Sequence, residues 1–174
     1  VNELTDAEFL VYDLEADADG VYVTQLGAAG VRFLPAGGGT EQSLPCPPFW
    51  NCEQVELAGD LIYSFARASI VIGGWGIHEV TKLGATAHAF ARNLNLGEIL
   101  SVLRADDVNG FVYFSTDTSS GADLAGTIRK APKCTSGMST DVVILPLFTL
   151  VTDFAIGPQS LYFSSGGQIF VAPK

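Results

Sequence analysis

Few side chains in this sequence are equipped for nucleophilic or metal chemistry. It holds two histidines, His78 and His88, and three cysteines, Cys46, Cys52 and Cys134. It has neither a Gly-x-Ser-x-Gly elbow nor a His-Glu-x-x-His pair, which argues against a hydrolytic triad or a zinc hydrolase. Cys46 and Cys52 bracket Pro-Pro-Phe-Trp-Asn at a spacing that can close a small disulfide ring, and such a ring implies an oxidising compartment. Cys134 is then left buried, free, or paired with another chain. Too few ligands lie near these cysteines for a metal site.

The run Asp13-Leu-Glu-Ala-Asp-Ala-Asp-Gly20 alternates carboxylates as a Ca²⁺ loop does. An EF-hand needs an acid at its twelfth position, and counting from Glu15 that position is Leu26. The run therefore reads as a solvated turn. Ser115-Thr-Asp117-Thr-Ser lacks the glycine and aromatic of a sugar-protein Asp-box. Gly73-Gly-Trp-Gly76 has neither the Lys-Ser/Thr nor the helix of a phosphate loop. No cofactor is expected, beyond a Ca²⁺ ion that the acidity would tolerate.

That acidity is uneven. The net charge is −10, and residues 1–60 carry eleven carboxylates against a single base, Arg32. Such a surface repels phosphate backbones and anionic membranes. The longest near-apolar stretch, Ser69 to Gly76, falls well short of the roughly 20 residues of a membrane helix. A soluble, acidic, exported domain is expected, extracellular or periplasmic. Val1 in place of Met points to removal of a preceding segment.

The elements that must position any site repeat. Gly20-Val-Tyr-Val-Thr, Asp60-Leu-Ile-Tyr-Ser, Gly110-Phe-Val-Tyr-Phe-Ser and Ser160-Leu-Tyr-Phe-Ser share one pattern. A second motif follows each: Gly30-Val-Arg-Phe-Leu-Pro, Gly76-Ile-His-Glu-Val-Thr-Lys, Thr127-Ile-Arg-Lys-Ala-Pro-Lys and Gln168-Ile-Phe-Val-Ala-Pro-Lys. Tyr22, Tyr63, Tyr113 and Tyr162 recur at intervals of 41, 50 and 49 residues, the period of a four-stranded sheet unit. Short apolar runs between Gly, Pro, Asn and Asp turns predict strands. In the first unit they are Phe9–Glu15, Val21–Leu26, Val31–Pro35 and Glu41–Leu44. The second unit predicts Gln54–Ala58, Leu61–Ala66, Ile77–Lys82 and Thr86–Phe90, and the third Ile99–Ala105, Phe111–Ser115, Thr127–Ala131 and Asp141–Leu145. The fourth offers only Val151–Ile156, Leu161–Ser164 and Gln168–Val171. The units run approximately over 9–46, 53–91, 98–147 and 150–174, with residues 1–8 as the candidate for the missing last strand. Asn93, Asn95 and Gly97 break the one helical candidate, Ala87–Leu103.

A tyrosine on one strand, then Ile-x-x-x-Pro-Lys and a Gly-rich turn, resembles secreted bacterial β-propeller repeats of the TolB-like and NHL-like kind. The resemblance implies an all-β propeller of four-stranded antiparallel blades, with about four units visible and the last incomplete. It is nearly silent on activity.

In such a propeller, Phe49 and Trp50 would enter the second unit by a loop, with Trp75 in that unit's next loop on the same face. Asn51, Asn93 and Asn95 share this class of loop. The six are the candidate ligand-binding residues: aromatics for stacking on a sugar or anchoring a peptide side chain, amides for hydrogen bonds. The plainer reading has both tryptophans filling gaps between units. His78 aligns with Arg32, Arg129 and Phe170 as an ordinary strand position, and His88 falls on an outer, exposed strand.

Three functions follow. The first is a non-catalytic module presenting loops to a protein or glycan partner. The second is a carbohydrate-active enzyme with paired carboxylates in the central channel. The third is a half-ring completed by another chain or a second copy.

Overall fold

A computed structural model describes residues 10–25, 30–46, 50–68, 75–83, 87–92, 98–118, 126–133, 142–147 and 150–174. These residues form strands and turns, with no helix among them. β1 (Val11–Ala16), β2 (Gly20–Gln25), β3 (Gly30–Pro35) and β4 (Gln42–Pro45) make a first antiparallel sheet in chain order. A second contains β5 (Trp50–Ala58), β6 (Leu61–Ala68), β7 (Trp75–Thr81) and β8 (Ala87–Arg92). The third is built from β9 (Glu98–Asp106), β10 (Phe111–Thr118), β11 (Gly126–Pro132) and β12 (Val142–Leu147). The fourth has three strands, β13 (Val151–Ile156), β14 (Ser160–Ser165) and β15 (Gln168–Pro173). The expected closing strand at residues 1–8 lies outside the described residues.

Turn chemistry explains the meander. Gly166 and Gly167 both have positive φ, 56° and 77°, as a two-residue hairpin turn demands. A Cβ on Gly20 would stand 2.2 Å from the Leu34 carbonyl oxygen, so only glycine lets β2 start against β3 there.

The sheets stack in sequence through their first strands, β1 on β5, β5 on β9 and β9 on β13. Side chains alternate between the two faces of a strand. The front face of each of the first three sheets meets the next sheet in the chain, and the back face of each of the last three meets the preceding one. Three cores fill the three boundaries. Tyr22, Val31 and Leu44 of the first sheet pack on Val55, Ile62 and Val80 of the second. Tyr63, Phe65 and Ile77 pack on Leu103, Val112 and Phe114 of the third. Tyr113 and Ile128 pack on Phe154, Leu161 and Phe163 of the fourth. The recurring tyrosine is thus the front-face residue that seals each boundary.

Polar ties reinforce the apolar ones. Cys46, just past β4, is disulfide-bonded to Cys52 on β5, joining the first sheet covalently to the second. Asp17, in the turn the sequence marks as solvated, is instead engaged. One of its oxygens accepts from the amides of Asp19 and Gly20, and the other pairs with Lys82 of the second sheet. The carboxylate spacing thus serves a turn and a cross-sheet ion pair. Lys174 and Asp106 tie the fourth sheet to the third in the same way.

Candidate functional site

The first strands of the four sheets share an irregularity. Each ladder slips by one residue near its start, leaving Tyr12 on β1, Glu53 on β5, Ser101 on β9 and Thr152 on β13 as the extra residue of a β-bulge. A bulge breaks the alternation of a strand and re-aims a side chain. Here the effect is repeated at one level of four adjacent strands.

Three of the bulged residues, Tyr12, Glu53 and Ser101, line one cavity of about 250 Å³, together with Asp13, Gln54, Phe65 and Leu100. Hydrogen bonds across the sheet boundaries hold the bulges. Thr24 Oγ1 donates to the Glu53 carbonyl at 2.9 Å, and Ser101 Oγ donates to the Val151 carbonyl at 3.4 Å. Asp13 accepts from its neighbour Leu14 at 2.9 Å and, across the boundary, from the Val55 amide at 3.1 Å. Its carboxylate is therefore fixed in the wall of the cavity.

Glu53 faces Arg67, whose Nε lies 3.0 Å from Oε1. Burial nevertheless pushes the Glu53 carboxyl above the ordinary carboxylate range, and Arg67 offsets only part of that. Gln54 Oε1 is buried and meets no hydrogen-bond partner among the described residues. Asp117, on β10 beside Ser101, is also raised by burial, with the Ser101 hydroxyl working in the opposite direction. The cavity therefore combines an aromatic edge, two carboxylates, an amide and a hydroxyl. Such a set suits a cationic or hydroxyl-rich guest.

A second group of charges sits further along the same strands. Glu56 Oε1 accepts from the Ala105 amide at 3.0 Å, and Oε2 is 3.7 Å from Arg104 Nη1. Arg104 in turn donates to Asp153 of the fourth sheet at 2.8 Å. Burial, assisted by Glu15 and Asp13, raises the Glu56 carboxyl to about 7 against the pull of the Ala105 amide and Arg104.

Three of the ligand-binding residues singled out in the sequence fall among the described residues, at the start of strands in the second sheet. Trp50 and Asn51 open β5, three and two residues before Glu53, and Trp75 opens β7. They are strand residues, not loop residues. β6 runs on to Ala68, two beyond its predicted end, and supplies ladder partners for them. Asn51 pairs with Arg67, and Arg67 with Trp75, while Trp50 sits one row further on, opposite Ala68. Asn51 is half-buried. Phe49, Asn93 and Asn95 lie outside the described residues, as does Cys134. His78 is buried in β7, 4% exposed.

Sequence reasoning missed the bulges. Yet a signal existed: Cys52 and Val55, Leu100 and Leu103, and Val151 and Phe154 are each three apart on one strand and buried in one core. A regular strand puts residues three apart on opposite faces.

No family model matches the sequence, and no curated protein matches it. Solved structures do. A chain in the crystal structure of the nidogen/laminin complex, a β-propeller-type domain, is similar over 95% of this chain and 76% of that one, with a TM-score of 0.59 and 9% identity. The likeness is one of fold. It agrees with an all-β architecture of antiparallel three- and four-stranded sheets stacked through their first strands.

Proposed function

We propose that the chain is a non-catalytic protein-interaction module of the β-propeller type, which receives a basic side chain of its partner in the bulge-lined cavity. The observation that carries this reading is the convergence of Tyr12, Glu53 and Ser101 on one cavity that also holds Asp13. The Glu53 carboxyl, raised by desolvation that Arg67 offsets only in part, gains when a further cation is brought to it. An aromatic edge and a carboxylate pair together suit a lysine or arginine. The net charge of −10 would draw such a partner in. The strand ends that carry Trp50, Asn51 and Trp75 would form the flanking rim. The Cys46–Cys52 disulfide fits an exported protein.

The glycosidase alternative needs two carboxylates left available for chemistry. Asp13 is held by two amides, Glu56 by an amide and Arg104, and Glu53 by Arg67. Each of these three is held in place by a structural partner, which fixes the charges that a cationic side chain would meet.

Calorimetric titration with a short lysine-containing peptide, beside its glutamate counterpart and a neutral oligosaccharide, tests the reading. The lysine peptide should bind, weaken with salt, and lose about tenfold with Glu53→Gln, about 1.4 kcal/mol. Binding of the oligosaccharide alone would replace the reading with a glycan one.

A further inference from the structure

The turn from β9 to β10, Asp107-Val108-Asn109-Gly110, carries a reactive pair. Asn109 is the one asparagine in the sequence followed by glycine. The nitrogen of such a glycine can attack the asparagine side-chain carbonyl, because no Cβ hinders its approach. The pair sits at an exposed tip: Val108 is 93% exposed, and Asn109 beside it is exposed as well.

The folded turn opposes that attack at both reacting groups. The Gly110 amide, which would be the nucleophile, donates to the Asp106 carbonyl at 2.9 Å. The Gly110 carbonyl accepts from the Lys133 amide at the end of β11, also at 2.9 Å. On the other partner, Asn109 Nδ2 donates to Asp106 Oδ2 at 2.9 Å, and the Asn109 backbone amide donates to Oδ1 at 3.2 Å. Nucleophile and leaving group are therefore both tied to Asp106.

Asp106 is itself buried, 5% exposed. The same Oδ2 that receives the Asn109 amide also pairs with Lys174, which follows β15 in the fourth sheet. Against desolvation, Lys174 and the Asn109 donors hold the Asp106 carboxyl below its ordinary 3.8, so it is ionised at neutral pH. A buried carboxylate that loses its cation is drawn out to water. One oxygen thus couples the closed turn to the contact between the third and fourth sheets.

We infer that Asn109 is a gated deamidation site, closed while Asp106 is paired with Lys174 and open when the third and fourth sheets part. In the open turn the Gly110 nitrogen bonds to Asn109 Cγ and gives up its proton. The Cγ–Nδ2 bond breaks, and the amide nitrogen leaves with that proton as ammonia. Water then opens the succinimide to aspartate or isoaspartate. The product sets a carboxylate against Asp106 where a donor stood, and the two acids repel. The turn then cannot close as before, so a parting of the sheets is made permanent. The inference is independent of the cavity and of what the cavity binds.

Peptide mass spectrometry of the whole chain, aged in mildly alkaline buffer, tests it. The native protein should convert Asn109 far more slowly than the chain unfolded in guanidinium, since the rate follows the open population. Lys174→Met should convert it about fivefold faster than wild type, the effect of losing one partly buried ion pair. Lys82→Met breaks the matching tie to Asp17 at the first boundary and should leave the rate at the wild-type value. A native rate equal to the unfolded one, or a Lys174→Met rate equal to wild type, overturns the inference. Equal acceleration by Lys82→Met does so too, because the gate is then general loosening. Where Lys174→Met does not fold, Asn109→Asp decides: hydrogen exchange at the Gly110 amide should quicken, and unchanged exchange overturns the inference.

Discussion

Glu56 of the second sheet accepts a hydrogen bond from the backbone amide of Ala105 in the third, at 3.0 Å. Asp13 does the same one boundary earlier, accepting from Val55 at 3.1 Å. Side-chain carboxylates thus take up amides that the neighbouring ladder leaves unpaired, and they lock adjacent sheets in register. Buried amides need such partners.

The Glu56 tie makes stability depend on pH. Its carboxyl is raised to about 7 from an ordinary 4.5. Between those values the folded protein holds a proton that the unfolded chain has released, so this group's contribution falls as pH rises from about 4.5 to about 7. Glu56→Gln keeps an oxygen for the Ala105 amide and removes the charge. Denaturant titrations over that window should show a flatter pH dependence in the variant, and an unchanged slope would remove Glu56 as the cause.

Asp17 works with the opposite sign. The Lys82 ammonium and the Asp19 and Gly20 amides hold its carboxyl below the ordinary 3.8 despite desolvation. Its contribution is present above that value and fades as pH falls through the lowered one. Lys82→Met, which keeps the aliphatic stem, should cost about 1 kcal/mol at neutral pH. That loss should shrink in acid, as thermal melts at the two conditions would show.

Removing the disulfide by Cys46→Ser with Cys52→Ser should cost about 2 kcal/mol, because the loop it closes is short. The second sheet should then part from the first more readily than the third from the second. Hydrogen exchange at Thr24 and Val55 reads that difference, with Val112 as the reference.

Tyr63 donates to Glu79 Oε2 at 2.8 Å inside the second sheet. Tyr63→Phe deletes a fully buried hydrogen bond to an acid and should cost about 1.5–3 kcal/mol. Equilibrium unfolding of the purified variant measures it directly.

Much of the fold was legible because its physics is local and repeated. The tyrosine period, the Gly and Asp turns and the alternating apolar runs place the strands within a few residues, and the Cys46–Cys52 spacing points to the bond observed. The site was less legible. Trp50 and Trp75 read as loop residues because nothing in Ala66-Arg67-Ala68 signals that β6 continues to pair with them. Asp17 read as solvated because its partner, Lys82, is 65 residues away. The bulges left only the three-residue spacing of apolar pairs, a signal that emerges once four strands are laid side by side.

The most direct test of the proposed binding site is a map of the amides that respond to the lysine peptide, measured as NMR shift changes on the wild-type protein. The proposal predicts that the largest changes fall on Tyr12, Asp13, Glu53, Gln54 and Ser101, and that Glu53→Gln suppresses them. Changes spread evenly over the acidic turns, with these five unmoved, would contradict it.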